Sequence, residues 1–248
     1  MKKAVVITGA SSGIGAATAI HFGKNGYFVY LMGRNKDRLA EVAVQCRAGA
    51  SLMSCDLTDV AALNKRIAEI LATNIHRVEV LVNNAGIFDV HSTEQGTDEL
   101  WQREFEVNLM SAVRLTRAFF PYFKQHGGGS IVNVSSSLGL KPTAATSAYS
   151  AMKAAMINYT QSNALEGGAF GIRANCVAPG IVDTPIHSFH ALDEAMKAES
   201  VAKMGPMQPL GRIGTVDEIA KAIYFLGSND SSWTTGAVLP IDGGITIS

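Results

Sequence analysis

Short apolar segments alternate with amphipathic segments along nearly the whole chain. Seven apolar segments are rich in β-branched residues and have the length of strands; they span 3–8, 27–32, 50–54, 79–82, 130–134, 173–177 and 237–240. Apolar residues at helical spacing predict helices over 13–25, 36–46, 58–73, 97–126, 149–167 and 215–227. Regular alternation of this kind favours crossover connections and a parallel sheet with helices on both faces. We therefore expect a doubly wound α/β fold of about seven parallel strands, forming one domain over residues 1–248.

One long segment interrupts this alternation. Residues 182–212 contain no strand pattern and carry three prolines around a short predicted helix near 191–203. An irregular insertion of this length in a compact domain is usually functional, so we expect a lid over a substrate pocket. Apolar and Met side chains, which repack easily, would line it. The expected lid residues are Ile186, Phe189, Leu192, Met196, Met204 and Met207, with Phe88, Leu138 and Leu140 on the opposite wall.

Charge and cysteine content restrict the possible partners and compartment. The 21 basic and 21 acidic residues balance, so nothing favours binding to nucleic acid or to an anionic membrane. No apolar stretch approaches 18 residues, and the run after Met1 is too short for a signal peptide. The three cysteines, Cys46, Cys55 and Cys176, lack metal-ligand spacing, and we expect buried free thiols in a cytoplasmic protein. His187 and His190 have no evident third ligand, so no metal site is expected.

A glycine-rich turn links the first predicted strand to the first predicted helix. The strand Lys3–Thr8 is followed by Gly9-Ala10-Ser11-Ser12-Gly13-Ile14-Gly15, where the helix begins. Glycines in this context allow a tight turn and let backbone N–H groups approach a pyrophosphate at the positive end of the helix. An ordinary strand-to-helix turn is the alternative. The context favours a Rossmann-type cofactor site, with contacts expected from Gly9, Ser11, Ser12, Gly13, Ile14 and Gly15.

A tyrosine and a lysine lie four residues apart on a predicted helix and therefore share one face: Tyr149 and Lys153. Holding a phenol with a pKa near 10 as phenolate at neutral pH costs roughly 4 kcal/mol. A cation about 4 Å away contributes on the order of 4 kcal/mol at an effective dielectric constant near 20. Lys153 could thus make Tyr149 a general acid and base, although pairs at this spacing often only pack together.

Several motifs occur in one order along the chain. They are Thr8-Gly9-x-x-x-Gly13-x-Gly15, Asn83-Asn84-Ala85-Gly86, Asn108, Ser136, Tyr149-x-x-x-Lys153 and Pro179-Gly180. In this order and spacing the chain resembles the short-chain dehydrogenase/reductase family, in particular its 3-oxoacyl-acyl-carrier-protein reductase-like members. The resemblance runs from residue 3 to about residue 243. Each motif is weak by itself, and the ordered set is specific.

The resemblance implies a catalytic group of four residues. Ser136, thirteen positions before Tyr149, would polarise a substrate carbonyl while Tyr149 delivers the proton. Lys153 would lower the pKa of Tyr149 and bind the nicotinamide ribose, and Asn108 would bind a water that connects Lys153 to solvent. Strand alternation would turn Ser135 and Ser137 away from Ser136. A solvent-facing side chain is the alternative for Asn108.

The resemblance also assigns cofactor contacts at other strand ends. Asp56, beside Leu57, would bind the adenine amino group; capping of the following helix, by Asp56 or by Thr58, is the alternative. Asn83 and Asn84 would tie neighbouring strands together or contact the ribose, and the turn they begin would shape the site through Asn84, Ala85 and Gly86. The exit of the sixth strand would fix the nicotinamide carboxamide, unless it is an ordinary loop; the residues expected there are Pro179, Gly180, Ile181, Val182 and Thr184.

The end of the second strand bears on the choice of dinucleotide. NAD-dependent members of the family usually carry an acid where this chain has Gly33, and Arg34 follows. Without a carboxylate to repel it, a 2′-phosphate could be bound by the planar guanidinium of Arg34, so we expect NADP(H). A solvated Arg34 is the alternative. Many NADP-dependent relatives also carry a basic residue just before the second glycine, where this chain has Ser12.

Together these observations predict an NADP(H)-dependent oxidoreductase that transfers hydride between nicotinamide and a carbonyl or secondary alcohol. An NAD-dependent alcohol or sugar dehydrogenase is the nearest alternative, and a non-catalytic dinucleotide-binding sensor is a more distant one. The proton-transfer residues argue against a sensor, which needs no such group. Relatives are commonly tetramers or dimers built through the helices that contain Asn108 and Tyr149, so a homo-oligomer is expected.

Overall fold

Seven parallel strands form one sheet in the computed structural model, which describes residues 1–187 and 193–248. The strands are β1 Lys2–Thr8, β2 Phe28–Gly33, β3 Ala50–Ser54, β4 His76–Asn83, β5 Gly129–Val134, β6 Ile172–Pro179 and β7 Val238–Ile241. Their order is β3-β2-β1-β4-β5-β6-β7, and every pair is parallel. The predicted doubly wound sheet is therefore confirmed, with each predicted strand present.

Eight α-helices connect or follow these strands within the described residues. They are α1 Gly13–Lys24, α2 Lys36–Ala43, α3 Val60–Leu71, α4 Asp98–Phe105, α5 Ser111–Gln125, α6 Ser147–Gly167, α7 Glu194–Met204 and α8 Val216–Gly227. The single helix expected over 97–126 is wrong in one respect, because a π-helical segment, Glu106–Met110, separates α4 from α5. A π segment inserts a residue into the helical repeat, which hydrophobic periodicity does not reveal.

Both faces of the sheet are buried. Val5 and Ile7 of β1 point into one core with Phe22 of α1, while Ala4 and Val6 point into a second core on the opposite face. Because side chains alternate along a strand, burial on both faces requires an unbroken apolar run, as β1 has. The sequence of β1 thus fixes its place in the middle of the sheet.

The strand order reverses between β1 and β4. From β1 the chain proceeds outward to β2 and β3, then returns to the other side of β1 at β4. In open α/β sheets, ligands bind outside the carboxyl ends of the strands at such a point. The expected glycine turn after β1 and the asparagine turn after β4 therefore lie side by side at this crevice.

The cysteines are buried free thiols as predicted: Cys46, Cys55 and Cys176. Burial raises the pKa of the Cys46 and Cys176 thiols to about 11. In the described part of the chain, no helix is long and apolar enough to cross a membrane.

Candidate active site

A cleft of about 960 Å³ opens at the carboxyl ends of the strands. Most of the predicted site residues line it: Gly9, Ser11, Ser12, Gly13, Ile14, Arg34, Asp56, Leu57, Asn84, Ala85, Gly86, Ser136, Tyr149, Lys153, Pro179, Gly180, Ile181, Val182 and Thr184. Gly15 and Asn108 are not among the lining residues. The cleft thus brings residues from six strand ends and from helices α1 and α6 into a single site.

The glycine turn is held by close backbone contacts. A Cβ atom on Gly15 would lie 2.2 Å from the Gly9 carbonyl oxygen, so Gly15 lets α1 pack against the end of β1 rather than facing the cleft. Gly9 and Gly13 have φ angles of 65° and 54°, which other residues rarely adopt. Ser12 precedes α1 without a side-chain cap, and the first turn carries no acidic residue. The start of α1 therefore keeps backbone donors and an uncompensated positive end.

The asparagine turn after β4 is tied to β1. Asn84 Nδ2 donates to the Thr8 carbonyl oxygen at 2.9 Å, and the backbone N–H groups of Asn84 and Ala85 donate to Thr8 Oγ1 at 2.9 and 3.0 Å. Asn83 Nδ2 donates to Asn133 Oδ1 at 2.8 Å and joins β4 to β5. Asn83 and Asn84 were expected either to tie neighbouring strands together or to contact the ribose. Both join strands, and Asn84 also lines the cleft.

The far end of the cleft is formed by β2 and β3. Arg34 is exposed there, next to Gly33, and its positive charge helps to lower the pKa of Asp56. The larger cause of that lowering is hydrogen bonding, since Asp56 Oδ1 accepts from the backbone and side chain of Thr58. The suggestion that Asp56 or Thr58 caps the following helix is wrong. Asp59 is the N-cap of α3 and accepts from the Ala62 N–H.

Tyr149 lies at the inner end of the cleft. Its side chain is buried, its ring packs edge-to-face on Phe88 at 4.8 Å, and its hydroxyl is hydrogen-bonded to Ser136. Burial raises the pKa of the phenol, Ser136 opposes this, and the buried carboxyl of Glu104 adds to it. Lys153 is not among the groups that lower this pKa, so the expected lowering is wrong for the protein alone, in which removal of the phenol from water dominates.

Lys153 is buried one helical turn beyond Tyr149. Its Nζ donates to the Val134 carbonyl oxygen at 2.9 Å and lies 5.4 Å from the centre of the Tyr149 ring. Ser135 Oγ donates to the Lys153 carbonyl oxygen at 2.7 Å and so attaches α6 to the end of β5. Burial lowers the pKa of Lys153 to about 8, against the raising effects of Cys176 and Glu104. Lys153 therefore remains a cation at neutral pH.

Asn108 lies behind the cleft wall, within the π segment. Its side chain is buried, so the solvent-facing alternative is wrong. Oδ1 accepts from the Ile87 N–H at 2.9 Å, and Nδ2 donates to the Ile87 carbonyl oxygen at 3.0 Å. The second N–H of the amide contacts Glu104 Oε2. Asn108 thus holds the strand exit at Ile87, which itself lines the cleft.

A comparison with known protein families identifies the chain. The model of the family described as short chain dehydrogenase matches residues 3–195. The chain belongs to the short-chain dehydrogenase family.

Several relatives of this short-chain dehydrogenase are similar over their whole length. A cis-4-hydroxycyclohexanecarboxylate dehydrogenase of Sinomonas cyclohexanicum is 37% identical over 99% of this chain and 97% of the relative. A 3-oxoacyl-acyl-carrier-protein reductase of Thermotoga maritima is 36% identical, covering 99% and 98%. The solved structure of ElxO with NADP bound has a TM-score of 0.91 and 31% identity, and the match covers 100% of both chains. This short-chain dehydrogenase is accordingly an NAD(P)-dependent oxidoreductase of the class that acts on alcohol and ketone groups.

The segment 182–212 contributes only part of the wall predicted for it. Ile186, Met204 and Met207 line the cleft, as do Phe88 and Leu138 opposite, whereas Met196 and Leu140 do not. Phe189, Leu192 and His190 lie outside the described residues, and the His187 side chain is not described. Val182 forms an isolated parallel bridge with Gly214 in a region where no strand was expected.

Two buried polar residues near the cleft of this short-chain dehydrogenase were missed from the sequence. Gln208 is buried, and its Oε1 accepts from the Ile181 N–H at 3.2 Å while its Nε2 donates to the Arg212 carbonyl oxygen at 2.8 Å. It therefore anchors the 182–212 segment to the exit of β6. Glu104 is a fully buried carboxyl four residues before Asn108. The spacing of four residues was visible in the sequence, but the burial of Glu104 was not.

Proposed function

We propose that this enzyme uses NADP(H) to transfer hydride between nicotinamide and a carbonyl or secondary alcohol, with Tyr149 as the general acid and base. The observation that carries the proposal is the convergence of Ser136, Tyr149 and Lys153 on one cleft. A buried phenol joined to a hydroxyl, with a buried ammonium on the next helical turn, is suited to moving one proton. A dinucleotide-binding sensor needs none of these groups.

Each of the three side chains has a separate part in this proposal. The Leu138 N–H donates to Ser136 Oγ at 3.1 Å, so this hydroxyl is oriented and its own proton is directed elsewhere. Ser136 would keep its proton and donate a hydrogen bond to the substrate oxygen, and Tyr149 would transfer the one proton that completes the alcohol. The nicotinamide, when bound, supplies the hydride.

Lys153 would favour the phenolate through its charge and restore the proton of Tyr149. Only one of its three N–H donors is used by Val134, so the ammonium retains donors for other groups. Asn108 would complete the path by which this proton reaches solvent. Such positioned proton transfer contributes typically 10²- to 10⁴-fold to a rate.

The residues of the cleft fit a dinucleotide. Gly9, Gly13 and the uncapped start of α1 form a cradle of backbone donors suited to a pyrophosphate. Arg34 is the exposed cation at the opposite end of the lining, where a 2′-phosphate would require one. A Cβ on Gly33 would meet Leu39 and Ser11 only at 3.5 and 3.6 Å, so packing does not require glycine there. These features support a preference for NADP(H) over NAD(H).

Fluorescence titrations with NADPH and NADH test the cofactor proposal. Arg34→Ala should weaken NADPH binding by at least about tenfold and leave NADH binding nearly unchanged, since only one ligand loses a charged hydrogen bond. Gly33→Asp should fold, because the site accepts a Cβ, and should reverse the preference by repelling the phosphate. Arg47→Ala, which removes an exposed Arg away from the cleft, is the matched control. An equal loss for both dinucleotides in Arg34→Ala would contradict the phosphate contact.

The substrate is proposed as an apolar secondary alcohol or the corresponding ketone. Ile87, Phe88 and Leu138 form one side of the cleft beside Tyr149, and Ile186, Met204 and Met207 lie on the lid side. Residues 182–212 would act as the lid, held at its end by Gln208. Two relatives act on a hydroxycyclohexane carboxylate and on 3-oxoacyl groups, so a panel should contain cyclic alcohols and 3-oxo esters. Turnover of any member separates an enzyme from a sensor.

We further propose a cytoplasmic homo-oligomer that binds neither nucleic acid nor membrane. The buried free thiols suit a reducing compartment, and the balanced charge offers no attraction for polyanions. Large apolar side chains at the surface, Leu165, Phe170 and Trp233, suit contacts between copies, with Trp233 99% exposed. Light scattering gives the mass in solution, and a monomer would contradict this assembly.

A further inference from the structure

Glu104 is a buried carboxyl that the proposed hydride transfer does not use. It lies on α4, its side chain is 0% exposed, and it is absent from the cleft lining. Its Oε1 accepts from the Asp89 N–H at 3.0 Å, and its Oε2 accepts from Asn108 Nδ2. Withdrawing a carboxyl from water is costly unless hydrogen bonds and charges compensate, so a residue in this position requires an explanation.

One consequence of Glu104 is a fixed orientation for the Asn108 amide. Asn108 Nδ2 faces both the Ile87 carbonyl oxygen and Glu104 Oε2, and an ionised carboxylate can only accept. A flipped amide would place its oxygen against that carboxylate. Glu104 thus acts together with Ile87, whose N–H donates to Asn108 Oδ1 on the other side, where Oδ1 also borders Gly86. A Cβ on Gly86 would lie 2.8 Å from Asn108 Oδ1 and 3.4 Å from Lys153 Nζ, so both groups border the same point.

A second consequence is electrostatic. Burial raises the pKa of Glu104 to about 6, and the negative charge of Asp89 raises it further. The hydrogen bond from the Asp89 backbone N–H and the positive charges of Lys153 and Arg103 lower this pKa. Arg103 also pairs with Asp89 at 3.3 Å across the exposed side. In return, Glu104 raises the pKa of Lys153 and that of Tyr149. Glu104 is therefore coupled to both members of the proton-transfer pair.

We propose that Glu104 is a positioning residue for proton transfer: it fixes the amide of Asn108, and its buried negative charge holds Lys153 protonated. The proposal rests on the proposed function, in which Lys153 returns a proton to Tyr149. Glu104 acts through these two neighbours and touches neither substrate nor dinucleotide. It is one of two groups that raise the Lys153 pKa against burial, and it thereby extends the pH range over which Lys153 is the cation beside the phenol.

Two substitutions separate the two effects. Glu104→Gln keeps a similar shape and one of the two acceptor oxygens but removes the charge, whereas Glu104→Leu removes the charge and both acceptors. Glu99→Gln alters an exposed carboxyl on the same helix and serves as the matched control. The Lys153 ammonium is followed by NMR in protein with isotope-labelled lysine, and Lys153→Met assigns its signal. This titration requires folded protein only, so it is independent of any substrate.

We expect Glu104→Gln to lower the Lys153 pKa by at least about half a unit, because a nearby negative charge has been removed. If the parent is active, kcat of the variant should be about tenfold lower or more near neutral pH, with little change in the KM for the dinucleotide. The pH profile of kcat should shift to lower pH together with the Lys153 pKa. Glu104→Leu should lower kcat further, since the Asn108 amide then loses one of the three contacts that orient it and keeps only those to the Ile87 backbone. Glu99→Gln should match the parent in each measurement.

An unchanged Lys153 titration in folded Glu104→Gln would overturn the proposal. So would a variant that loses thermal stability but keeps the parental titration and pH profile, because Glu104 would then be structural only. Failure of the proposed function has a different signature, namely a parent protein that turns over no panel member. The Lys153 titration would still decide the role of Glu104 in that case.

Discussion

The contribution of Glu104 to the free energy of unfolding should decrease as the pH is raised from 4 to 7.5. The carboxyl is fully buried, and burial raises its pKa from 4.5 to about 6. Between these values the unfolded chain releases the proton while the folded chain keeps it. The contribution of Glu104 is therefore most favourable below pH 4.5 and is lost as the pH rises through about 6. At about 1.4 kcal/mol per unit, the loss amounts to about 2 kcal/mol.

The other buried group of the pair does not obscure this window. Burial lowers the pKa of Lys153 to about 8, so below pH 7 this side chain is protonated in both the folded and the unfolded chain. Lys153 then adds no slope between pH 4 and 7. Groups such as His21 and His76, whose pKa values are lowered by burial, affect parent and variant alike. The difference between parent and Glu104→Gln is therefore set mainly by the carboxyl, and the lowered Lys153 pKa expected in the variant contributes only near the upper end of the pH range.

Urea unfolding of parent and Glu104→Gln at a series of pH values measures that difference. Relative to the parent, the variant should gain about 2 kcal/mol of unfolding free energy between pH 4 and 7.5, whatever its constant offset. Glu99→Gln is the control with the opposite sign. Hydrogen bonds from the backbone of Glu99 and from Thr97 lower the pKa of the Glu99 carboxyl, so this variant should lose relative stability as the pH rises. A difference between parent and Glu104→Gln that does not vary with pH would refute the reasoning.

Two further predictions concern stability. Gly15→Ala should lower the free energy of unfolding in urea by about 3 kcal/mol, because its Cβ would lie 2.2 Å from the backbone oxygen of Gly9. Gly33→Ala, whose Cβ has its nearest contact at 3.5 Å, should lower it by less than about 1 kcal/mol. Equal losses of stability in the two variants would contradict the assigned packing. Arg173→Met should cost about 3 kcal/mol and expose 228–234 to proteases, since the guanidinium donates to Leu226, Ser228, Ser231 and Thr234. A parental digestion pattern would contradict that clamp.

The fold could be predicted from the sequence because each element carries a local signal. Strand β1 is apolar on both faces and is followed by a glycine turn, and this combination already specifies a central strand of a parallel sheet. The break at Glu106–Met110 was not predictable, because the apolar pattern on either side continues without interruption. Asp59 was missed as the cap of α3 for a simpler reason, since Asp56, Thr58 and Asp59 are all suitable capping residues.

The composition of the cleft was predictable, and its electrostatics were not. Motif order placed Ser136, Tyr149 and Lys153 at neighbouring strand and helix ends, and the structure brings them together. Helical spacing alone suggested that Lys153 would lower the pKa of Tyr149. Burial of the phenol raises the pKa instead, and the contribution of Glu104 depends on a buried position that only the three-dimensional arrangement reveals.

The role of Tyr149 is tested most directly by Tyr149→Phe, with Tyr159→Phe on the same helix as the matched control. The phenol of Tyr149 lines the cleft, whereas Tyr159 does not. Tyr149→Phe should fold, bind NADPH with the parental affinity and lose at least about 10³-fold in kcat for carbonyl reduction, because the proton donor is gone. Tyr159→Phe should turn over at the parental rate. Substantial turnover by Tyr149→Phe would contradict its assignment as the general acid.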